Sequence, residues 1–229
     1  NGNLKDALKS LLSQPRKGFN PDKTQGLREN ILSSFKRPSN ARFTAQDIIK
    51  ITQEVLPSDG ILFSETGVFV CMLEHLWCVD KPGTYFGTSG GRTMGLTIPA
   101  ICGAKLAEPN RPMIGLGGDG SLLMRLGELE VLARTGVAVP LIIMNDQALG
   151  TMKARQKLRN LESHGLDLHP ICFEDLAKSF GLNGITVNNP EDFEVALKKS
   201  LKSEHTTLID ARIDPEIYQD SFGRTVGMS

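Results

Sequence analysis

Net charge is absent from this chain. Its 26 acidic side chains balance 26 basic ones, and Lys and Arg nowhere gather into an uninterrupted block. Without such a basic surface, nucleic acid and anionic membranes are excluded as expected partners. No apolar run approaches the roughly 20 residues of a membrane-spanning helix, and the N-terminal stretch has no signal-peptide hydrophobic core. The expectation is a soluble, cytoplasmic protein. The four cysteines, Cys71, Cys78, Cys102 and Cys172, lack C-x-x-C spacing, which argues against a thiolate metal centre or a dithiol redox site. Buried free thiols in a reducing compartment are expected instead. An initiator methionine is also lacking, since the chain opens at Asn1. The 40% hydrophobic content of its 229 residues permits the core of one large domain.

The most informative stretch is Gly115-Leu116-Gly117-Gly118-Asp119-Gly120-Ser121. An apolar run, Pro112-Met113-Ile114, precedes it, and Leu122, Leu123, Leu126 and Leu129 follow at helical spacing. The glycines therefore lie on a turn from a strand into a helix. The first N–H groups of that helix have no intrahelical acceptor and favour an anion. Gly115, Gly117 and Gly120 also fit the dinucleotide fingerprint G-x-G-x-x-G, with Asp146 as a ribose-binding acid, so a nicotinamide-binding domain is one reading. Asp119 speaks against it. An ionised carboxylate inside the loop, a few ångströms from a pyrophosphate, meets a repulsion on the order of kilocalories per mole. A divalent cation between the two anions turns that repulsion into a bridge, and Mg²⁺ takes hard oxygen ligands completed by substrate phosphates. Asp119, the amide oxygen of Asn145 and a nearby backbone carbonyl can supply the protein's oxygens. No Lys-Ser or Lys-Thr follows the glycines, so the loop is not a P-loop.

Gly118-Asp119-Gly120-Ser121, then Met124 and Glu128-Leu129, then Asn145-Asp146-Gln147-Ala148-Leu149-Gly150, resembles the diphosphate-binding motif of thiamine-diphosphate-dependent enzymes. The acetolactate synthase and benzoylformate decarboxylase group is the nearest in flavour. The resemblance implies that Asp119, Asn145 and the main-chain carbonyl of Gln147 hold Mg²⁺, and that Gly118, Gly120, Ser121 and Leu149 border the thiamine diphosphate. In the turn Ser64-Glu65-Thr66-Gly67 it implies backbone N–H groups of Gly67 and Val68 at the diphosphate. The acetolactate synthases have Gln and His where this chain has Val68 and Phe69, so only main-chain contacts carry over. Met94, in Thr93-Met94-Gly95, falls on the bulky apolar position that wedges between the two cofactor rings. The resulting bend brings the aminopyrimidine nitrogen to the thiazolium carbon that must lose its proton. Arg92 stands where the family commonly has glycine, and its carbonyl remains available to the cofactor amine.

Along the chain, Leu4, Ala7, Leu8, Leu11 and Leu12 mark a short amphipathic helix ending before Pro15, and by resemblance residues 1–14 are the last helix of a preceding domain. Residues 15–43, rich in Pro, Gly and polar side chains, read as a linker with a short helix around Leu27 to Phe35. From Thr44 the pattern is regular: a capped helix closing before Pro57, a strand at Ile61 to Phe63, a helix from Val68 to Val79, and a glycine-rich loop from Tyr85 to Gly95. A helix containing Pro99 and Gly103 follows. Beyond the metal loop come a helix from Ser121 to Arg134 capped by Gly136, and a buried strand from Val139 to Met144. Asp146 is expected to be solvated or to cap the next helix, and His75 to pack. The basic run Lys153 to Arg159 is expected to be a solvated helix face. Helices at Phe173 to Phe180 and Pro190 to Lys202 alternate with strands at Gly184 to Val187 and Thr207 to Ala211. The fold expected for residues 44–212 is α/β: a doubly wound, mainly parallel sheet with helices on both faces. Residues 213–229 form a tail.

The function expected from the resemblance is binding of Mg²⁺ and thiamine diphosphate, as the C-terminal part of a decarboxylase or carboligase acting on 2-oxo acids. The family's activating glutamate lies on a pyrimidine-binding domain, and no stretch here looks like that domain. This chain therefore offers no catalytic residue of its own and needs the same or a partner polypeptide, in a homo-oligomer. A non-catalytic cofactor-binding or regulatory module is the other reading.

Overall fold

A computed structural model of the chain describes residues 3–13, 21–37, 39–88 and 91–215. By internal contacts the chain divides into residues 1–34 and residues 35–229. The first unit holds α1 (Leu4–Ser13) and α2 (Pro21–Ser34). α1 has no buried residue, so the stripe of Leu4, Leu8, Leu11 and Leu12 is exposed. α2 begins six residues earlier than its apolar pattern predicts, because Pro21, read as a linker breaker, is instead pre-shaped for a first helical turn.

The second unit contains α3 (Ala45–Val55), β1 (Ile61–Ser64), α4 (Val70–Leu76), β2 (Tyr85–Phe86), α5 (Thr97–Ala107), β3 (Met113–Gly118), α6 (Asp119–Met124) and α7 (Glu128–Thr135). These are followed by β4 (Pro140–Asn145), α8 (Gly150–Leu158), α9 (Phe173–Ser179), β5 (Asn183–Val187), α10 (Pro190–Ser200) and β6 (Thr207–Arg212). All six strands are parallel, in the order β2-β1-β3-β4-β6-β5. The doubly wound α/β fold follows: the chain moves outward from β1 to β2, then returns to place β3 on the other side of β1. Such a reversal opens a crevice at the carboxyl ends of the two strands.

Alternation along the strands feeds two cores. Ile61, Phe63, Met113, Leu141, Ile143 and Leu208 face one layer with Ile101 of α5, Leu132 of α7 and Ala177 of α9. Their neighbours Leu62, Ile114, Ile142 and Ile209 are equally buried, on the face where α10 packs against α3 and β6. β4 is buried along its whole length, as a central parallel strand requires.

Several local expectations need correction. The helix read from Ser121 to Arg134 is two helices, interrupted at residues 125–127, where Gly127 is a weak helix former. Gly136 does end the second, in the left-handed conformation at φ 66°. α4 is shorter than predicted, and the stretch read as a loop at Tyr85-Phe86 is an edge strand paired with Leu62 and Phe63. Cys71 and Cys102 are buried, whereas Cys78 and Cys172 are exposed, both lying just outside helices. His75, expected to pack, is exposed, with its ring stacked on Phe35 at 4.8 Å and Nδ1 2.7 Å from the Cys71 carbonyl. Residues 216–229, with most of the expected tail, lie outside the described residues.

The entry to the domain is fixed by one carboxylate. Thr44 Oγ1 accepts from Asp47 N at 3.2 Å and Thr44 N donates to Asp47 Oδ2 at 3.0 Å, a complete capping box. The other Asp47 oxygen takes Arg37 Nε at 2.7 Å, and Arg37 Nη2 donates to the carbonyls of Ala41 and Arg42. Asp47 thus ties Arg37, and through it Ala41 and Arg42, to the start of α3. Asp47→Ala is expected to lower the unfolding free energy in urea by about 2 kcal/mol. Lys50→Ala, on the exposed face of the same helix, is expected to change it by under about 0.5 kcal/mol.

Candidate functional site

Three strands deliver their carboxyl ends to the crevice. β1 ends at Ser64 and runs into Glu65, β3 ends at Gly118 and runs into Asp119, and β4 ends at Asn145. Gly118 pairs with Met144 in the sheet register, which sets Asp119 and Asn145 side by side. Both are only 4% exposed. Asp119 Oδ2 and Asn145 Oδ1 converge on a single donor, the N–H of Gln147, at 2.8 and 3.2 Å. The second Asp119 oxygen accepts from Gly120 N at 2.6 Å, inside the first turn of α6. Gln147 itself is left-handed at φ 55°. Its N–H faces Asp119 and Asn145, and its carbonyl accepts from Leu168 N at 2.8 Å.

The crevice is walled by apolar side chains over Gly120. A Cβ there would stand 2.9 Å from Leu149 Cδ2, 3.5 Å from Met94 Cε and 3.8 Å from Leu168 Cδ1. Met94 and Leu149, which come from different loops, are thus brought to the glycine turn. Leu168 was not foreseen. It arrives because residues 166–168 lie beside 147–149, with Leu149 N donating to the Leu166 carbonyl at 2.8 Å and Ala148 bridged to Asp167. Nothing periodic in Leu166-Asp167-Leu168 announces this pairing. The basic side chains of α8 are exposed as expected, and Lys153 among them pairs with Asp167.

Val68 is buried and Gly67 lies under the ring of Phe69, one turn before α4. Arg92 stands in the left-handed region at φ 46°, a conformation that suits the glycine its position commonly holds in the resembled family. Its guanidinium reaches Glu74 at 3.6 Å and helps to line a small polar pocket with Ser64, Thr66, Tyr85 and Thr88. Ser121 is 2% exposed, beneath the loop.

Glu65 was passed over in the sequence, although its position directly after a strand and two residues before a glycine is a usable signal. It is 4% exposed, and Oε2 accepts from Thr97 N at 3.3 Å. The N–H groups of Gly95 and Leu96 and the Ser121 hydroxyl also stabilise the charged form, although burial dominates and raises the carboxyl above its ordinary value. Glu65 thereby caps α5 and fastens the Met94 loop to the glycine turn. Its Oε1 fills the space where a side chain on residue 117 would go, which is why Gly117 has none.

Electrostatics give the site its character. Burial pushes the Asp119 carboxyl up to about 6, against donors from Gly120 and Gln147. Burial, followed by the charge of Asp119, pushes Asp146 up to about 7. Asp146 is half-buried and does not cap α8, whose N-cap is Leu149; its Oδ1 accepts from Ala148 N at 3.2 Å in a tight local turn. Asp210, wholly buried on β6, is raised by burial too. Carboxyl groups gathered at low exposure are a setting in which an added cation is stabilising. Among the described residues no group of three or more His, Cys, Asp or Glu side chains could hold a metal. The available donor set is instead one carboxylate, one amide oxygen and a main-chain carbonyl, hard oxygens that suit a cation completed by phosphate oxygens.

Comparison with known proteins gives these residues a context. The family model described as thiamine pyrophosphate enzyme, C-terminal TPP binding domain, matches residues 65–211. The 3D-(3,5/4)-trihydroxycyclohexane-1,2-dione hydrolase of Geobacillus thermodenitrificans is 27% identical over 90% of this chain and 34% of its own. The acetolactate synthase isozyme 1 large subunit of Escherichia coli is 29% identical over 74% of this chain and 30% of its own. Among solved structures, the thiamine diphosphate-dependent 4-hydroxybenzoylformate decarboxylase of Rhodococcus jostii matches with a TM-score of 0.71 and 27% identity, covering 89% of this chain and 36% of that one. The chain thus spans about a third of the length of these relatives. With its parallel sheet, its glycine turn and the model match running from Glu65 to Ala211, the chain belongs to the thiamine pyrophosphate enzyme family and carries the C-terminal cofactor-binding domain.

Proposed function

We propose that this chain binds thiamine diphosphate through Mg²⁺, as the C-terminal part of a 2-oxo-acid decarboxylase or carboligase of the acetolactate synthase type, a lyase or transferase. The observation that carries the reading is the convergence of the Asp119 and Asn145 oxygens on one point at the mouth of the β1/β3 crevice. Asp119 and Asn145 hold the ion, with the Gln147 carbonyl contributing through the lone pair that Leu168 N–H does not use. Gly67, Val68, Gly118, Gly120 and Ser121 line the diphosphate, where the first N–H groups of α6 favour an anion. Met94 and Leu149 shape the cofactor's middle, and the Arg92 carbonyl accepts from its amine. When bound, thiamine diphosphate supplies the carbon nucleophile and the electron sink for cleaving or joining bonds beside a carbonyl. The residues of this chain orient it and keep water from its diphosphate end.

Activation of the cofactor falls to a glutamate on a pyrimidine-binding domain, carried upstream or by a partner subunit of a homo-oligomer. No helix among the described residues is long and apolar enough to cross a membrane, in keeping with a cytoplasmic enzyme acting on small 2-oxo acids.

Calorimetric titration with thiamine diphosphate tests the reading. Binding is expected with Mg²⁺ and is expected to vanish with a chelator, while NAD gives no heat; NAD binding without metal would overturn it. Asp119→Ala is expected to weaken magnesium-dependent binding by at least about a hundredfold.

The raised carboxyls set a second expectation. Asp119 and Asp146 bind protons more tightly folded than unfolded, so between about pH 4 and pH 7 the folded state holds more protons and stability falls as pH rises. The cofactor-free chain should melt lower at pH 8 than at pH 5. Saturating Mg²⁺ and thiamine diphosphate should flatten that slope, and a melting temperature that rises from pH 5 to pH 8 without ligand would contradict it.

A further inference from the structure

We infer that Asp210 is the positioning residue that decides which end of the Asn145 amide faces the cation. The inference rests on the magnesium site proposed above.

An asparagine amide has one end that can ligate a metal and one that cannot. The oxygen offers lone pairs, whereas the amino end offers only N–H donors. The two ends are nearly equal in size, so packing alone selects poorly between them. Asn145 ends β4, and its strand neighbour β6 pairs Asp210 with Ile143 and Arg212 with Asn145. Asp210 is wholly buried, and its Oδ1 accepts from Asn145 Nδ2 at 2.8 Å. The Asp210 oxygen facing the amide is an acceptor. It takes the amino end and repels the oxygen, which leaves Asn145 Oδ1 turned toward Gln147 N and the Asp119 side of the crevice.

Arg212 completes the arrangement. Its Nε lies 3.3 Å from the second oxygen of Asp210, and its side chain is 45% exposed. Asp210 is therefore held from both sides, with one oxygen committed to the amide and the other to a cation at the protein surface. No other role is visible for so costly a group, because an anion with no exposed surface destabilises the fold unless it is fully bonded.

The test is a Mg²⁺ titration of thiamine diphosphate binding, followed by calorimetry on the full chain. Asp210→Ala is expected to raise the magnesium requirement about tenfold to a hundredfold, and Asp210→Asn, which keeps an acceptor oxygen for the amide, less than about threefold. Wild-type magnesium affinity in the Ala variant, or equal losses in both, would overturn the inference. Because Ala in a buried strand can fail to fold, an isosteric exchange provides a second arm. Asn145→Asp alone sets two carboxylates against each other, and combining it with Asp210→Asn rebuilds the bond with donor and acceptor exchanged. The double variant is expected to bind Mg²⁺ at least about tenfold more tightly than Asn145→Asp, and equal binding by the two would also overturn the inference. A wild-type chain without magnesium-dependent binding overturns the proposed function as well, whereas wild-type binding with unaffected variants overturns this inference alone.

Discussion

Negative charge gathered under low exposure at one sheet edge is the constraint around which this domain is arranged. Asp119, Asp146 and Asp210 reach the carboxyl ends of β3, β4 and β6, and Glu65 stands at the end of β1. Each is raised above its ordinary value chiefly by burial. The fold tolerates them by giving their oxygens donors: the N–H groups of Gly120 and Gln147 for Asp119, the start of α5 for Glu65, and the Asn145 amide and Arg212 for Asp210. Those bonds offset only part of the desolvation, and a cation offsets more.

The same carboxylates hold the loops in place. Glu65 sits between two of them, receiving Thr97 N from the Met94 side and occupying the space that Gly117 leaves open on the other. The glycine turn is therefore a packing requirement as well as an anion site. Gly120 allows three apolar side chains from three loops to close over one spot, and Gly117 makes room for a carboxylate below. A cofactor cradle built this way has its geometry set by strands and helix starts rather than by flexible side chains, which favours pre-organisation.

The family places this domain within longer proteins, and the chain spans about a third of the relatives' length. What its own residues can do is bounded accordingly. They form a cofactor-binding domain, and the proposed function leaves activation of the cofactor to groups outside it. Arg92 is the most individual feature of the cradle, a charged side chain in a left-handed conformation beside a polar pocket.

Much of this was legible in the linear chain. The Thr44/Asp47 cap, the stop at Pro57, the buried run of β4 and the Gly136 cap are local signals, set by neighbours within a few positions, and the structure reproduces them. Asp119 in a glycine turn and Asn145 at the end of an apolar run already implied a meeting at one edge, because parallel strands align their ends. The edge strand at Tyr85-Phe86 exists only through its pairing with β1, and two residues carry no periodicity. The break at Gly127, the pairing of Leu166–Leu168 with the Gln147 loop, and the burial of Asp210 were likewise invisible. The sequence by itself determined the fold class and the chemical identity of the candidate ligands, since these follow from short-range pattern and residue type. Only the tertiary structure decided which carboxylate caps, which orients and which faces the crevice, because those roles depend on partners that lie tens of residues away and on how much water the packing excludes.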